Sequence, residues 1–178
     1  MKRTGFHTLK DKGNIEEIKR HGPYRCERDD AWLGFGYYFW DSNIEWAHWW
    51  GKCACNNKYI ICESSLVIDE RCFDLVGDPN HQRELIEVFK LLMSIGEFNS
   101  NRAVTVASVI EYLKQKGLFD YDSIRSQHFS RDDTKVNYNP IRPEYTFFGQ
   151  KIQICLIKTN NLALQTFKVV FPEEYVEQ

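Results

Sequence analysis

Cys53-Ala54-Cys55 follows shortly after His48, and thiolate and imidazole together are the ligand types zinc prefers. A structural zinc site needs a second half-site of this kind. Cys26, Cys62, Cys72 and Cys155 each stand alone, so no metal is expected. Cysteine–histidine nucleophilic chemistry stays open, although Cys62, Cys72 and Cys155 sit in strand patterns where a buried thiol is the simpler reading. His48 and His128 are the imidazoles that a nucleic-acid-cleaving reading would use. Gly34-Phe35-Gly36 lacks the further glycine of a dinucleotide fingerprint, and it precedes a strand pattern where the fingerprint follows one. The densest stretch is Gly34 to Trp50, where a glycine-punctuated entry leads into an aromatic strand and then directly into a helix.

Periodicity and punctuation mark the helices and strands that carry these residues. Residues 3–9 can be extended. Asn14 followed by Glu17 fits a helix start, with Ile15 and Ile18 as an apolar stripe and His21-Gly22-Pro23 as the stop. Residues 22–34 read as a charged loop and 36–40 as a strand. Ser42 to Glu45 reads as a capping box, opening a helix with Ile44, Ala47 and Gly51 on one side. Strands are expected at 58–68 and 72–76. Leu85, Val88, Phe89 and Leu92 predict a helix at 82–96, and Val106, Val109, Ile110 and Leu113 another at 104–116. Residues 119–125 are extended, 126–146 form a polar loop, and strands at 150–158 and 163–171 close the chain. Helices fall in the first two-thirds and do not alternate with strands. That order predicts α+β with mainly antiparallel pairing.

At 178 residues the chain is expected to form a single domain, 1–178. The formal net charge of −2 excludes a bulk basic field, and a local basic groove remains compatible with it. Aromatic residues make up 15%, enough for a thick core or for stacking on a flat ligand. The amino-terminal residues show no apolar signal segment, and no run is long enough to span a bilayer. A cytoplasmic protein with free thiols and no membrane partner is expected.

His7-Thr8 on a first strand, a short helix, then Gly36-Tyr37-Tyr38-Phe39 leading into a helix with Ala47 and Trp50, resembles the ADP-ribosyltransferase fold of the diphtheria-toxin and poly-ADP-ribose-polymerase type. The likeness is closer to small bacterial members with a Gly-x-Gly-x-Tyr-Phe-Trp element and a late Gln-Ile-x-hydrophobic strand, here Ile152-Gln153-Ile154-Cys155. It runs from about His7 to Gln153. Two positions depart from the family pattern. The first element lacks the glycine between His7 and Thr8, and Gln153 stands where the histidine-tyrosine-glutamate type has glutamate.

The resemblance implies two small, mainly antiparallel sheets forming an NAD cleft, flanked by helices. It implies NAD as substrate, with His7, Tyr38 and Gln153 as catalytic positions and His7, Thr8, Gly36 and Tyr38 as the NAD-binding set. NAD cleavage passes through an oxocarbenium-like state. His7 would donate to an adenosine-side ribose hydroxyl, Tyr38 would stack on nicotinamide, and Gln153 would bond a ribose hydroxyl. Because side chains alternate along a strand, Tyr37 or Phe39 would face the core. An amide is a poor general base, so the acceptor would need little deprotonation. The function implied is mono-ADP-ribosyl transfer to a protein or a single-stranded nucleic acid, in a toxin or defence effector with an antitoxin or inhibitor protein as partner. The alternatives are an NAD glycohydrolase and a catalytically inactive NAD-binding or interaction module. Arg125 and the 126–146 loop are expected at the surface.

Overall fold

The computed structural model describes residues 1–96, 104–128, 134–139, 141 and 144–176, with backbone alone at 134–139, 144–148, 161 and 163–165. The elements in order are β1 (Lys2–Lys10), α1 (Ile15–His21), β2 (Tyr37–Asp41), α2 (Ile44–Ala54), β3 (Tyr59–Val67), β4 (Cys72–Asp74), α3 (Pro79–Ser94), α4 (Val106–Gln115), β5 (Ser123–His128), β6 (Thr134–Asn139), β7 (Glu144–Phe148), β8 (Lys151–Leu156) and β9 (Leu162–Phe171). Among these elements no helix is long and apolar enough to cross a membrane.

The class is α+β. The strands form one seven-stranded sheet in the order β4-β5-β8-β2-β1-β3-β9, and β6 and β7 form a separate two-stranded sheet. All pairings are antiparallel except β4 with β5. Where two small sheets were expected, the described strands form one large sheet and one two-stranded one, and the large sheet has a narrow waist. β1 pairs with β3 along its whole length, Lys2↔Val67 to Lys10↔Tyr59. It pairs with β2 only at Gly5↔Asp41 and Phe6↔Trp40. Beyond those two pairs the ladder stops, leaving a fork between β1 and β2.

Alternation sorts the side chains of the central strands. Phe39, Ile154 and Leu156 pack with Leu66 and Leu162 on one face, and Tyr37 joins them. Trp40 packs on the other face with Phe6, Ala47, Tyr59 and Ile61, under helix α2. Gly51 lets α2 press on the Tyr59 ring, since a Cβ there would fall within 2.5 Å of that ring. Helices α3 and α4 pack through Leu92, Val109 and Leu113, and Ile110 joins Phe73, Ile124 and Cys155. Helix α2 is capped by Asn43, whose side chain accepts from the Glu45 N–H at 3.0 Å. The expected Ser42 cap is not used. Ser42 adopts φ 58° and donates instead to Asp41 at 2.9 Å.

Asp41 anchors a charged cluster on the face opposite Trp40, level with the waist. Its carboxylate accepts from Arg3 at 2.8 and 2.7 Å and from Arg125 at 2.7 Å. Arg125 continues to Asp74 at 3.1 and 3.2 Å. Burial pushes the Asp41 carboxyl up, and the bonds from Arg3, Arg125 and Ser42 outweigh it and hold the group below its usual range. The expected surface position of Arg125 is corrected: it is buried because two carboxylates satisfy its charge. The 126–146 stretch is not one loop either. β5 extends through His128, and β6 and β7 occupy much of the remainder. Arg131 and Arg142, in the same stretch, lie outside the described residues.

Candidate functional site

A cleft of about 380 Å³ opens at the fork. Consecutive residues His7, Thr8 and Leu9 all line it. Neighbours on a strand point to opposite faces, so a surface that touches all three runs along the strand edge. Tyr38 and Trp40 of β2 form the next wall, and Gln153 and Lys151 of β8 follow, with His128 of β5 beyond. The loop over residues 24–32 and the α2 residues Trp49 and Trp50 close it. The three residues expected to be catalytic, His7, Tyr38 and Gln153, thus share one cavity. Thr8 lines it as well. Gly36 does not, and the close approach it permits is to its own sheet, where a Cβ would lie 2.6 Å from the Leu156 carbonyl oxygen.

His7 is 6% exposed, and its Nδ1–H donates to the Tyr38 carbonyl at 2.7 Å. This bond satisfies a β2 carbonyl that the interrupted ladder leaves without a strand partner. It also sets the tautomer, because only a protonated Nδ1 can donate to a carbonyl. Nε2 is then a buried acceptor, and it has no hydrogen-bond partner. With Nδ1–H given to Tyr38, the neutral ring has no second N–H to supply the donor expected of His7. Burial lowers the tendency of the imidazole to protonate, although the bond to Tyr38 opposes that.

The unfolded chain takes up a proton near the usual imidazole value of about 6.5, and the folded chain does so only at lower pH. Stability is complete above that value and declines as the pH falls toward the folded one. Urea midpoints for His7→Phe should therefore shift less between pH 7.5 and 5.5 than those of the parent. Equal shifts in the two proteins would show that His7 is not the titrating group.

Tyr38 contributes its ring and not its hydroxyl. The hydroxyl donates to the Gly34 carbonyl at 2.7 Å and accepts from the Leu33 N–H at 3.0 Å. Burial drives its ionisation far above the ordinary range, so it serves neither as acid nor as base. Thr8 spends its hydroxyl proton on the Ala47 carbonyl at 3.0 Å, which ties β1 to α2.

Gln153 lies opposite Trp40 on one side and Ser126 on the other. Its Oε1 accepts from the Trp32 indole Nε1–H at 2.6 Å. An indole nitrogen can only donate, so the amide orientation is fixed and Nε2 offers its protons elsewhere. The edge of the Trp32 ring also meets His128, at 5.5 Å between centroids.

Several wall residues were not singled out from the sequence. Lys151 shared a signal with Gln153, because residues two apart on a strand share a face. Trp32 sits in a loop, where no periodicity points to it. Trp49 and Trp50, which pack against the core under α2, also line the cleft. His48 is outside the lining, pairs with the Tyr59 hydroxyl at 3.0 Å and packs on Phe171. Cys53 is exposed and Cys55 buried, so the pair does not converge. No protein-family model matches the chain, and no curated protein and no solved structure matches it.

Proposed function

We propose that the cleft binds NAD and that the protein transfers ADP-ribose from it to a macromolecule. One observation carries this reading: His7, Tyr38 and Gln153, far apart in sequence, line the same cavity. The size of the cavity falls in the range of ligand sites, and its walls set tyrosine and tryptophan rings among charged and polar side chains. Its tryptophans offer ring faces for flat ligands.

In this reading the His7 Nε2 accepts a ribose hydroxyl proton in a hydrogen bond, and the Tyr38 ring forms a wall for nicotinamide. The Gln153 Nε2–H bonds a hydroxyl oxygen of the other ribose. The bond between ribose C1′ and the nicotinamide nitrogen breaks, and its electron pair leaves with neutral nicotinamide. The acceptor forms a new bond to C1′ and releases its proton to solvent. No carboxylate of the described lining stands free to take that proton, because Asp30 is engaged by Arg28 at 2.8 and 2.6 Å. An acceptor nitrogen that is nucleophilic while neutral fits this environment best.

Incubation with NAD labelled in its adenylate half tests the reading. Transfer of label to macromolecules supports it, and nicotinamide release without transfer identifies a glycohydrolase. His7→Phe fills the same space and removes the acceptor. It should lower kcat/KM for NAD about 10- to 100-fold, the equivalent of one lost buried hydrogen bond. Absence of both release and transfer by the parent protein would refute an enzymatic role.

A further inference from the structure

We propose that His128 is the general base of the transfer, taking the acceptor's proton on the side of Gln153 away from the departing nicotinamide. This role rests on the NAD reading above.

Strand register sets the order along the cleft. Tyr38 is paired with Cys155, Trp40 with Gln153, and His128 with Lys151. Cys155, Gln153 and Lys151 alternate along β8, so their partners Tyr38, Trp40 and His128 share one face of the sheet. Tyr38 and His128 therefore lie on opposite sides of Gln153, each about 7 Å from it along the strand axis. Gln153 bonds the ribose next to nicotinamide in the NAD reading, and Tyr38 forms the nicotinamide wall. The face of C1′ away from the leaving group then looks toward His128. A displacement takes its nucleophile on that face.

The imidazole is held beside this position. Its ring lies 5.5 Å from the Trp32 ring, centroid to centroid, with the planes at 85°. The same indole gives its Nε1–H to Gln153 Oε1 at 2.6 Å. One ring thus sets both the amide that binds the ribose and the imidazole next to it. Among the described residues, neither nitrogen of His128 has a hydrogen-bond partner. The residue is exposed, so a proton taken there passes on to water. The charged groups facing this end are Lys151 of β8 and Arg25, Arg28 and Asp30 of the loop. The cations have donors and no acceptor. Asp30 is engaged by Arg28 at 2.8 and 2.6 Å. The Tyr38 hydroxyl is held by Gly34 and Leu33.

A lone pair of the acceptor atom forms the bond to C1′, and the pair of the C1′–N bond leaves with nicotinamide. A neutral nitrogen that has bonded to C1′ is a cation. It becomes neutral again by giving its proton to the imidazole lone pair, and the imidazolium releases that proton to water. Positioned proton transfer of this kind contributes about 10²- to 10⁴-fold.

Two small acceptors test the role, one with a proton to lose and one without. Water must give up a proton when it attacks C1′. The ring nitrogen of acetylpyridine has none to give and ends as the cation of a new dinucleotide. Hydrolysis is read as nicotinamide release without acetylpyridine, and exchange as the acetylpyridine dinucleotide formed. His128→Ala should lower kcat for hydrolysis about 100-fold or more and leave exchange and KM for NAD within about 2-fold. Added imidazole should restore hydrolysis. In the parent alone, the ratio of hydrolysis to exchange should fall between about pH 8 and pH 5, the range in which imidazoles take up protons. His7 acts through NAD binding on both reactions and so leaves the ratio unchanged. This ratio decides even if the alanine variant fails to fold. The proposal is overturned if hydrolysis and exchange fall together in the variant, if neither falls, or if the parent's ratio stays flat. A parent that performs neither reaction also overturns it, and label transfer to macromolecules then decides the NAD reading separately.

Discussion

Asp41→Ala should lower the stability of this protein by about 3–5 kcal/mol, read as a shift in the urea midpoint at unchanged slope. The Asp41 side chain is 0% exposed and that of Arg125 8%, whereas Arg3 is 27% exposed. With the carboxylate gone, Arg3 can turn to water. Arg125 cannot, and it keeps only Asp74, so most of the cost is its uncompensated burial. For a chain of this length the melting temperature should fall by on the order of 10 °C. Replacing both partners, Asp41→Leu with Arg125→Met, should recover much of the loss, because an apolar pair needs no counter-charge. A loss under about 1 kcal/mol for the single variant would show that the cluster does not hold the waist together. The cluster lies under the two residue pairs that join β1 to β2, so the alanine variant should also loosen the cleft.

The second large effect concerns Gln153→Glu. A carboxylate at this position can still accept the Trp32 indole proton through one oxygen, as the amide does now at 2.6 Å. The other oxygen then faces the cleft as an anion. On the NAD reading it sits near the positive charge that develops at ribose C1′, and it can also take a proton from the acceptor. General-base assistance contributes about 10²- to 10⁴-fold. NAD cleavage measured as nicotinamide release should rise by about 100-fold or more. Lys151, on the same face two residues away, helps to keep the new carboxylate ionised. An unchanged rate, with the fold intact by circular dichroism, would place the reacting carbon elsewhere.

Regular elements were legible in the sequence where periodicity was strong. Ala47 and Gly51 on α2, and Val109, Ile110 and Leu113 on α4, are buried as their spacing predicts. The alternation that sends Phe39 inward and Tyr38 to the cleft follows from strand geometry alone. The β6–β7 pair was not legible, because β6 is mostly polar and Pro140 and Pro143 stand between the two strands. The Asp41–Arg125 cluster could not be found either: its partners are 84 positions apart, and nothing local marks a charge that will be buried. The waist was equally hidden, because a ladder that stops after two pairs is a property of register and not of composition. Of the expected site, His7, Tyr38 and Gln153 carried a signal through their resemblance and their order. Trp32, which orients Gln153, carried none.

The sheet order has a consequence for synthesis. β2 appears by residue 41, but its neighbour β8 spans Lys151–Leu156. On the ribosome, β2 waits for more than a hundred residues with one edge unpaired, and such an edge recruits other strands. Gln153 and Lys151 arrive with β8, so no truncated product ending before it can complete the cleft. Whatever the cleft does to its surroundings, a nascent chain cannot do it until β8 has been made.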